Sequence, residues 1–214
     1  EPGLDVVSSV SKSVLIQGAS IINYYMMVGG TSFPFMGARG DVVFLGGLGN
    51  ITSYDFGGAP IHENGGLNRE KYGWIKGFIR FAKQFLGIIL NSDGRSYVSV
   101  TAGGENVVLL TKTGARPDTC VNPCHENFDV YEEGNEKGRF FFIRNIEREA
   151  KDLTVRIAPE LLGREITFRT AVSGGETRIL PVAFRVPGSS LMLVYGTSEI
   201  LLSKECGGRT ALVV

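Results

Sequence analysis

Between two helical patterns near the start of the chain lies one apolar run, Ile21-Ile22-Asn23-Tyr24-Tyr25-Met26-Met27-Val28. A run of that kind suits a strand buried on both faces, as in a parallel sheet covered by helices. A parallel strand needs a neighbour on each edge to satisfy its backbone groups. Nothing else before Asn91 reads as a strand, so the segment is a piece of an α/β fold and something else must complete its sheet. The flanking helices are clear. Leu4, Val7, Val10, Val14 and Leu15 stand at helical spacing and the pattern stops at Gly18, a natural C-terminal cap. A second helix is expected from Asn68 to Leu90, with Tyr72, Ile75, Ile79, Ala82 and Leu86 as its apolar stripe, joined by Phe78, Phe85 and Ile89.

Between strand and second helix, Gly29 to Leu67 is a long irregular stretch rich in Gly, Phe and Tyr. Loops of that length are uncommon in compact domains and are usually functional. Much of the glycine sits here; the chain has 29 in 214 residues, about twice the usual share of 7%. Tyr24, Tyr25, Phe33, Phe35, Tyr54 and Phe56 add aromatic faces backed by hydroxyls, which suit the apolar face and polar rim of a sugar ring.

The period changes near Asn91. From Arg95 onward it is two, and eight short strands are expected: 97–100, 107–110, 128–131, 139–144, 153–157, 166–169, 182–186 and 191–195. Gly, Asn, Asp and Pro clusters separate them, the signature of an antiparallel sandwich. The expected division is therefore residues 1–90 and residues 91–214.

Charge narrows the function. The 22 Lys+Arg balance 22 Asp+Glu, and the isoelectric point is near 7.0. No basic excess marks a nucleic-acid module or a polybasic membrane binder, and no apolar run has the ~20 residues of a bilayer span. No cofactor or metal is expected. Gly46-Gly47-Leu48-Gly49 has the spacing of neither phosphate loop. Cys120, Cys124 and His125 are the right ligand types for zinc, but a tetrahedral site needs a fourth ligand and Cys206 is the only other thiol. His62-Glu63 lacks the second His of a helical zincin, and there is no Gly-x-Ser-x-Gly nucleophile elbow.

Two blocks carry a resemblance. The segment from Gly18 through Asn23-Tyr24-Tyr25-Met26-Met27-Val28-Gly29-Gly30-Thr31-Ser32-Phe33 resembles the Asn-Leu-Tyr-Met-Phe-His-Gly-Gly-Thr-Asn-Phe segment of glycoside hydrolase family 35, the β-galactosidases. Thr52-Ser53-Tyr54-Asp55-Phe56-Gly57-Gly58-Ala59-Pro60-Ile61-His62-Glu63-Asn64-Gly65 is similar to that family's Thr-Ser-Tyr-Asp-Tyr-Asp-Ala-Pro-Leu-Ser-Glu-Ala-Gly. Lys71-Tyr72 matches its Lys-Tyr at the start of the last barrel helix, and Leu193 to Ile200 is similar to a segment of a following β domain.

The resemblance implies the terminal segment of a TIM (β/α)8 barrel, namely helix 7, strand 8 and helix 8, followed by an antiparallel β-sandwich. The long loop would lie at the C-terminal end of a barrel strand, where such barrels place active sites. Family members hydrolyse terminal β-galactosides with retention, using two Glu residues whose carboxyl groups stand about 5–5.5 Å apart. Neither motif is present: Glu1 has the wrong context, and Glu63 matches a loop Glu that is not the nucleophile. The catalytic set of this chain is therefore expected to be empty. The resemblance instead assigns Tyr25, Tyr54 and Phe56 to the galactose pocket. Tyr25 matches a tyrosine beside the nucleophile. Phe56 keeps the ring of a sugar-contacting tyrosine but loses its hydroxyl, and Ser32 replaces an Asn. The expected partner is an N-terminal barrel segment or chain carrying both Glu, and the expected ligand a β-galactoside. The other reading is a non-catalytic carbohydrate-binding or structural β-sandwich module.

Overall fold

The computed structural model describes residues 3–31, 53, 55, 58–107, 128–145, 147–187 and 189–214. Two long helices come first, α1 (Leu4–Ile16) and α2 (Arg69–Leu90). They are followed by β1 (Val98–Ala102), β2 (Glu105–Val107), β3 (Phe128–Asn135), β4 (Gly138–Asn145) and β5 (Lys151–Ile157). A short α3 (Pro159–Leu162) leads to β6 (Ile166–Val172), β7 (Thr177–Arg185), β8 (Met192–Tyr195), β9 (Leu202–Cys206) and β10 (Arg209–Val213). No described helix is long and apolar enough to cross a membrane. The chain forms two compact units. One comprises residues 1–4 and 23–76; the other comprises 5–22 and 77–214.

The larger unit is built on two four-stranded antiparallel sheets with strand orders β2-β1-β5-β6 and β3-β4-β7-β8. Val98, Val100, Val155, Ile157 and Phe168 of the first sheet meet Val130, Phe141, Ile143, Leu180 and Val182 of the second in one buried core. That is the sandwich expected from the period-two pattern. β4 departs from simple alternation, because all eight of its residues are buried. The cause is a third layer. Phe140 on the far face of β4 packs against Phe81 and Phe85 of α2 with ring centroids 5.4 and 5.5 Å apart, and Phe85 also meets Phe184 of β7 at 5.4 Å.

This aromatic contact widens the expected buried face of α2. Ile75, Phe78, Phe85 and Ile89 are buried as expected, Phe81 and Ile88 join them, and of the expected stripe Ile79 is the residue left exposed, at 37%. Phenyl rings bury a large apolar surface, and the gain from burial scales with area. The helix ends match their residues. Asn68 Oδ1 accepts from Lys71 N at 3.2 Å, an N-cap. At the end of α1, Gly18 takes φ +83° while Ala19 N bonds Val14 O and Gly18 N bonds Leu15 O, a Schellman closure.

α1 is held to the β unit by one buried charge. Lys12 is 6% exposed; its Nζ donates to Thr177 O at 2.6 Å and to Glu199 Oε1 and Oε2 at 2.8 and 2.9 Å. Glu199 Oε1 also accepts from Ile179 N at 2.6 Å. Removing one partner of such a pair strands the other in a low dielectric. Glu199→Ala is therefore expected to cost about 2–3 kcal/mol in urea unfolding, below the range for fully buried pairs, because the Glu199 side chain is 31% exposed. Lys12→Met combined with Glu199→Leu is expected to recover most of that loss.

A second buried charge fixes the segment between α2 and β1. Arg139 of β4 is 1% exposed. Its Nε donates to Glu132 Oε1 at 2.5 Å, its two terminal nitrogens donate to Asp93 at 3.0 Å each and to Arg95 O, and it lies over the Tyr97 ring at 4.8 Å. Glu132 Oε2 accepts from Ser96 Oγ, Tyr97 N and Val98 N at 3.0, 2.7 and 3.0 Å. Burial by itself would raise the Asp93 carboxyl, but the Arg139 guanidinium and the Arg95 N–H hold it below the ordinary range.

Besides the short α3, two strands are not anticipated by the sequence pattern, β9 and β10. They form a hairpin with Gly207 and Gly208 both at positive φ, 57° and 74°, as a two-residue type I′ turn requires. Gln84 of α2 serves as a surrogate neighbour, its Nε2 donating to Ser203 O and its Oε1 accepting from Ser203 N, both at 2.9 Å.

One expectation fails. Residues 21–28 are not a buried strand: Ile21 and Tyr25 are each 83% exposed, and Val28 is 55% exposed. A single parallel bridge, Val28 to Ile61, is the one piece of sheet geometry in that run. The physical reason is the missing neighbours, since no strand of the described residues offers a ladder to either edge. The described residues form no closed barrel.

Candidate functional site

The smaller unit brings the two resembling blocks together. The backbone of 27–31 is laced to that of 53–63: Ile61 N donates to Met27 O at 3.1 Å, Gly29 N donates to Ile61 O at 2.7 Å, and Thr31 bridges Ser53 antiparallel. Asp55 sits where these segments converge. Its Oδ1 accepts from Glu63 N at 2.7 Å, its Oδ2 lies 3.5 Å from His62 Nδ1, and its carbonyl accepts from Gly58 N and Ala59 N. Glu63 Oε2 in turn accepts from Thr31 Oγ1 at 2.7 Å.

This closure explains the glycine at position 29. A Cβ there would fall 1.6 Å from Asp55 Oδ1 and 3.2 Å from Glu63 N, so any side chain would displace the carboxylate. Gly30, beside it, has open space around its Cα. Of the pair, Gly29 is required by contact.

Tyr25, expected in a sugar pocket, projects into solvent from the turn that precedes this lacing. An exposed phenol can reach a ligand or an additional segment, and no described residue of its own unit covers it. Tyr54 and Phe56 lie outside the described residues, as do Ser32, the Gly46–Gly49 loop, Cys120, Cys124 and His125. Cys206 is an exposed free thiol. Among the described residues no three His, Cys, Asp or Glu side chains are grouped to hold a metal ion.

In the sequence Thr31 and Asp55 stand only as letters of a motif, and His62 and Glu63 only as an incomplete zincin pair and a loop Glu. Their contact is long-range in sequence, from 31 to 63, and no periodicity encodes it. The available signal was Gly29, an invitation to look for a group approaching its backbone.

Comparison with known proteins gives this geometry a context. Residues 4–82 match the model of glycosyl hydrolases family 35. The β-galactosidase A of Aspergillus oryzae is 28% identical over 203 residues, covering 92% of this chain and 17% of that protein. A probable β-galactosidase A of Neosartorya fischeri is 28% identical over 213 residues, 95% of this chain and 18% of that protein. The β-galactosidase A of a Penicillium species is 26% identical over 199 residues, with 92% and 17% covered. The chain thus spans less than a fifth of the length of these curated relatives. The family match takes in α1 and α2 as far as residue 82, the alignments with these relatives run over nearly the whole chain, and the chain is related to the family 35 β-galactosidases.

Proposed function

We propose that this chain supplies the C-terminal part of a retaining β-galactosidase acting on terminal β-D-galactosyl residues. In this reading residues 1–90 contribute helix 7, strand 8 and helix 8 of a (β/α)8 barrel, and residues 91–214 form the β-sandwich that follows. Tyr25, Tyr54 and Phe56 line part of the galactose pocket. Both catalytic glutamates come from outside these 214 residues, on a preceding barrel segment or a partner chain. The observation that carries the reading is the agreement between the family match over 4–82 and the run 21–28, in which Val28 alone joins a sheet bridge among the described residues and Ile21 and Tyr25 are exposed. A strand-8 segment deprived of strands 1 and 7 would be left in that condition.

The chemistry follows from the pieces. Retaining hydrolysis needs an ionised carboxylate to attack the anomeric carbon and a protonated one to assist the leaving oxygen. A phenol donating a hydrogen bond to the attacking carboxylate stabilises its charged form and keeps it deprotonated at working pH. Tyr25 is the residue assigned that role. The test is reconstitution. The chain alone should release no chromophore from a nitrophenyl β-galactoside, and co-expression with the segment encoded immediately upstream should give a stable complex that does. Turnover by the isolated chain, or a complex without turnover, would overturn the reading.

The self-contained core of the larger unit favours a second reading, a carbohydrate-binding or structural module without catalysis. It predicts a folded monomer that ignores the upstream segment.

A further inference from the structure

We propose that Asp55 is a positioning residue of the galactose pocket, setting where the Tyr25 hydroxyl points; the inference rests on the functional reading above. The argument starts from the exposure of Tyr25. A phenol with 83% of its surface in solvent has no packing of its own to fix it, so its direction is inherited from the backbone it stands on. That backbone is tied two residues later, where Met27 O accepts from Ile61 N and Gly29 N donates to Ile61 O.

Asp55 backs this tie from behind. Its Oδ1 occupies the space beside Gly29 where a Cβ would stand, while accepting from Glu63 N at 2.7 Å. One carboxylate oxygen therefore touches both strands of the tie at once. Thr31 and Glu63 close the same junction from the other side through their 2.7 Å side-chain bond. His62 Nδ1, 3.5 Å from Oδ2, is the cation-capable group facing this carboxylate. With the carboxylate removed, Gly29 faces a void and the Glu63 N–H loses its acceptor, so the turn bearing Tyr25 can shift. Displacements near 1 Å at a reacting group cost on the order of 100-fold in rate.

Asp55 touches neither sugar nor the reacting atoms in this account. It acts through Tyr25, and that gives the test its form. In the reconstituted enzyme, Asp55→Ala is expected to lower kcat about 30- to 100-fold with KM changed little, and to move the acidic limb of the pH–rate profile upward as Tyr25→Phe does. The double variant Asp55→Ala with Tyr25→Phe should be no slower than Tyr25→Phe alone, because two residues acting as one unit are non-additive. Asp55→Asn keeps an acceptor for the Glu63 N–H and should hold turnover within about threefold of the parent.

Multiplicative losses in the double variant, or parental kinetics in Asp55→Ala, would overturn the inference while leaving the functional reading intact. Absence of galactosidase activity in the parental complex would sink the functional reading, and the inference with it. Should Asp55→Ala fail to assemble, Asp55→Asn still decides: a loss beyond 30-fold there would show that charge and not position matters, contradicting the proposal.

Discussion

Replacing Arg139 by methionine is expected to destabilise the larger unit by about 3–5 kcal/mol, the cost of leaving a buried charge without its partner. The magnitude comes from what is stranded. Glu132 is 1% exposed, and in the variant it keeps only its bonds from Ser96, Tyr97 and Val98. Asp93 loses both guanidinium contacts at 3.0 Å. Arg139→Lys should recover little, since one ammonium cannot reach Glu132, Asp93 and the Arg95 carbonyl together in fork geometry. Urea unfolding followed by circular dichroism reads the loss directly; a decrease under 1 kcal/mol for Arg139→Met would show that the network is dispensable.

The same network fixes a pH dependence. Asp93 has a lowered pKa in the folded protein, so above its ordinary value near 3.9 the group is ionised in both states and its contribution to stability is fully present. As pH falls below that value, the unfolded chain binds the proton first and the contribution is lost on descending through the folded pKa. Arg139→Met should therefore flatten the acid limb of the stability curve below about pH 4.

In the reconstituted enzyme, Tyr25→Phe is expected to lower kcat by about 100-fold, the scale for removing one preorganised donor from a developing charge site. KM for a nitrophenyl galactoside should change less, because the ring remains to cover the sugar face. Loss of the donor lets the neighbouring carboxylate take up a proton more readily, so the acidic limb of kcat/KM should move to higher pH. An unchanged profile with unchanged kcat would remove Tyr25 from the pocket.

Much of this architecture is legible from residues alone. Both long helices fall within a residue or so of the expected bounds, since Gly18 and Asn68 punctuate them by local chemistry. Seven of the eight expected strands overlap observed ones, while 108–110 of the expected strand 107–110 lie outside the described residues, and the two-sheet core follows from the alternation. What was not legible depends on contacts across the fold. The burial of Phe81 on α2 is set by Phe140, distant in sequence. Arg139 and Glu132 share the parity of the core residues Phe141, Ile143 and Val130, yet as charged residues they read as solvent-facing; the contacts that pair them in the interior come from across β3 and β4 and from the 93–98 segment. The β9–β10 hairpin hides in the polar string Ser203-Lys204-Glu205-Cys206, where strand identity comes from the Gly207-Gly208 turn and from Gln84.

The run 21–28 is the instructive failure. Its composition specifies burial on both faces, and no strand among the described residues pairs with its edges. A sequence pattern states what environment a segment requires; it does not guarantee that the same polypeptide provides it. At the site, only the fold shows that Gly29 meets a close approach and that Asp55 is the group that makes it.

The most direct measurement is to trap the covalent intermediate. Retaining hydrolysis passes through a galactosyl–carboxylate ester, and a 2-deoxy-2-fluoro-galactosyl fluoride accumulates it by slowing its breakdown. Peptide mass spectrometry of the inactivated complex is predicted to find the sugar on a glutamate of the upstream segment and none on residues 1–214, with Tyr25→Phe slowing the labelling. A label on Glu63, or on any carboxylate of this chain, would contradict the account.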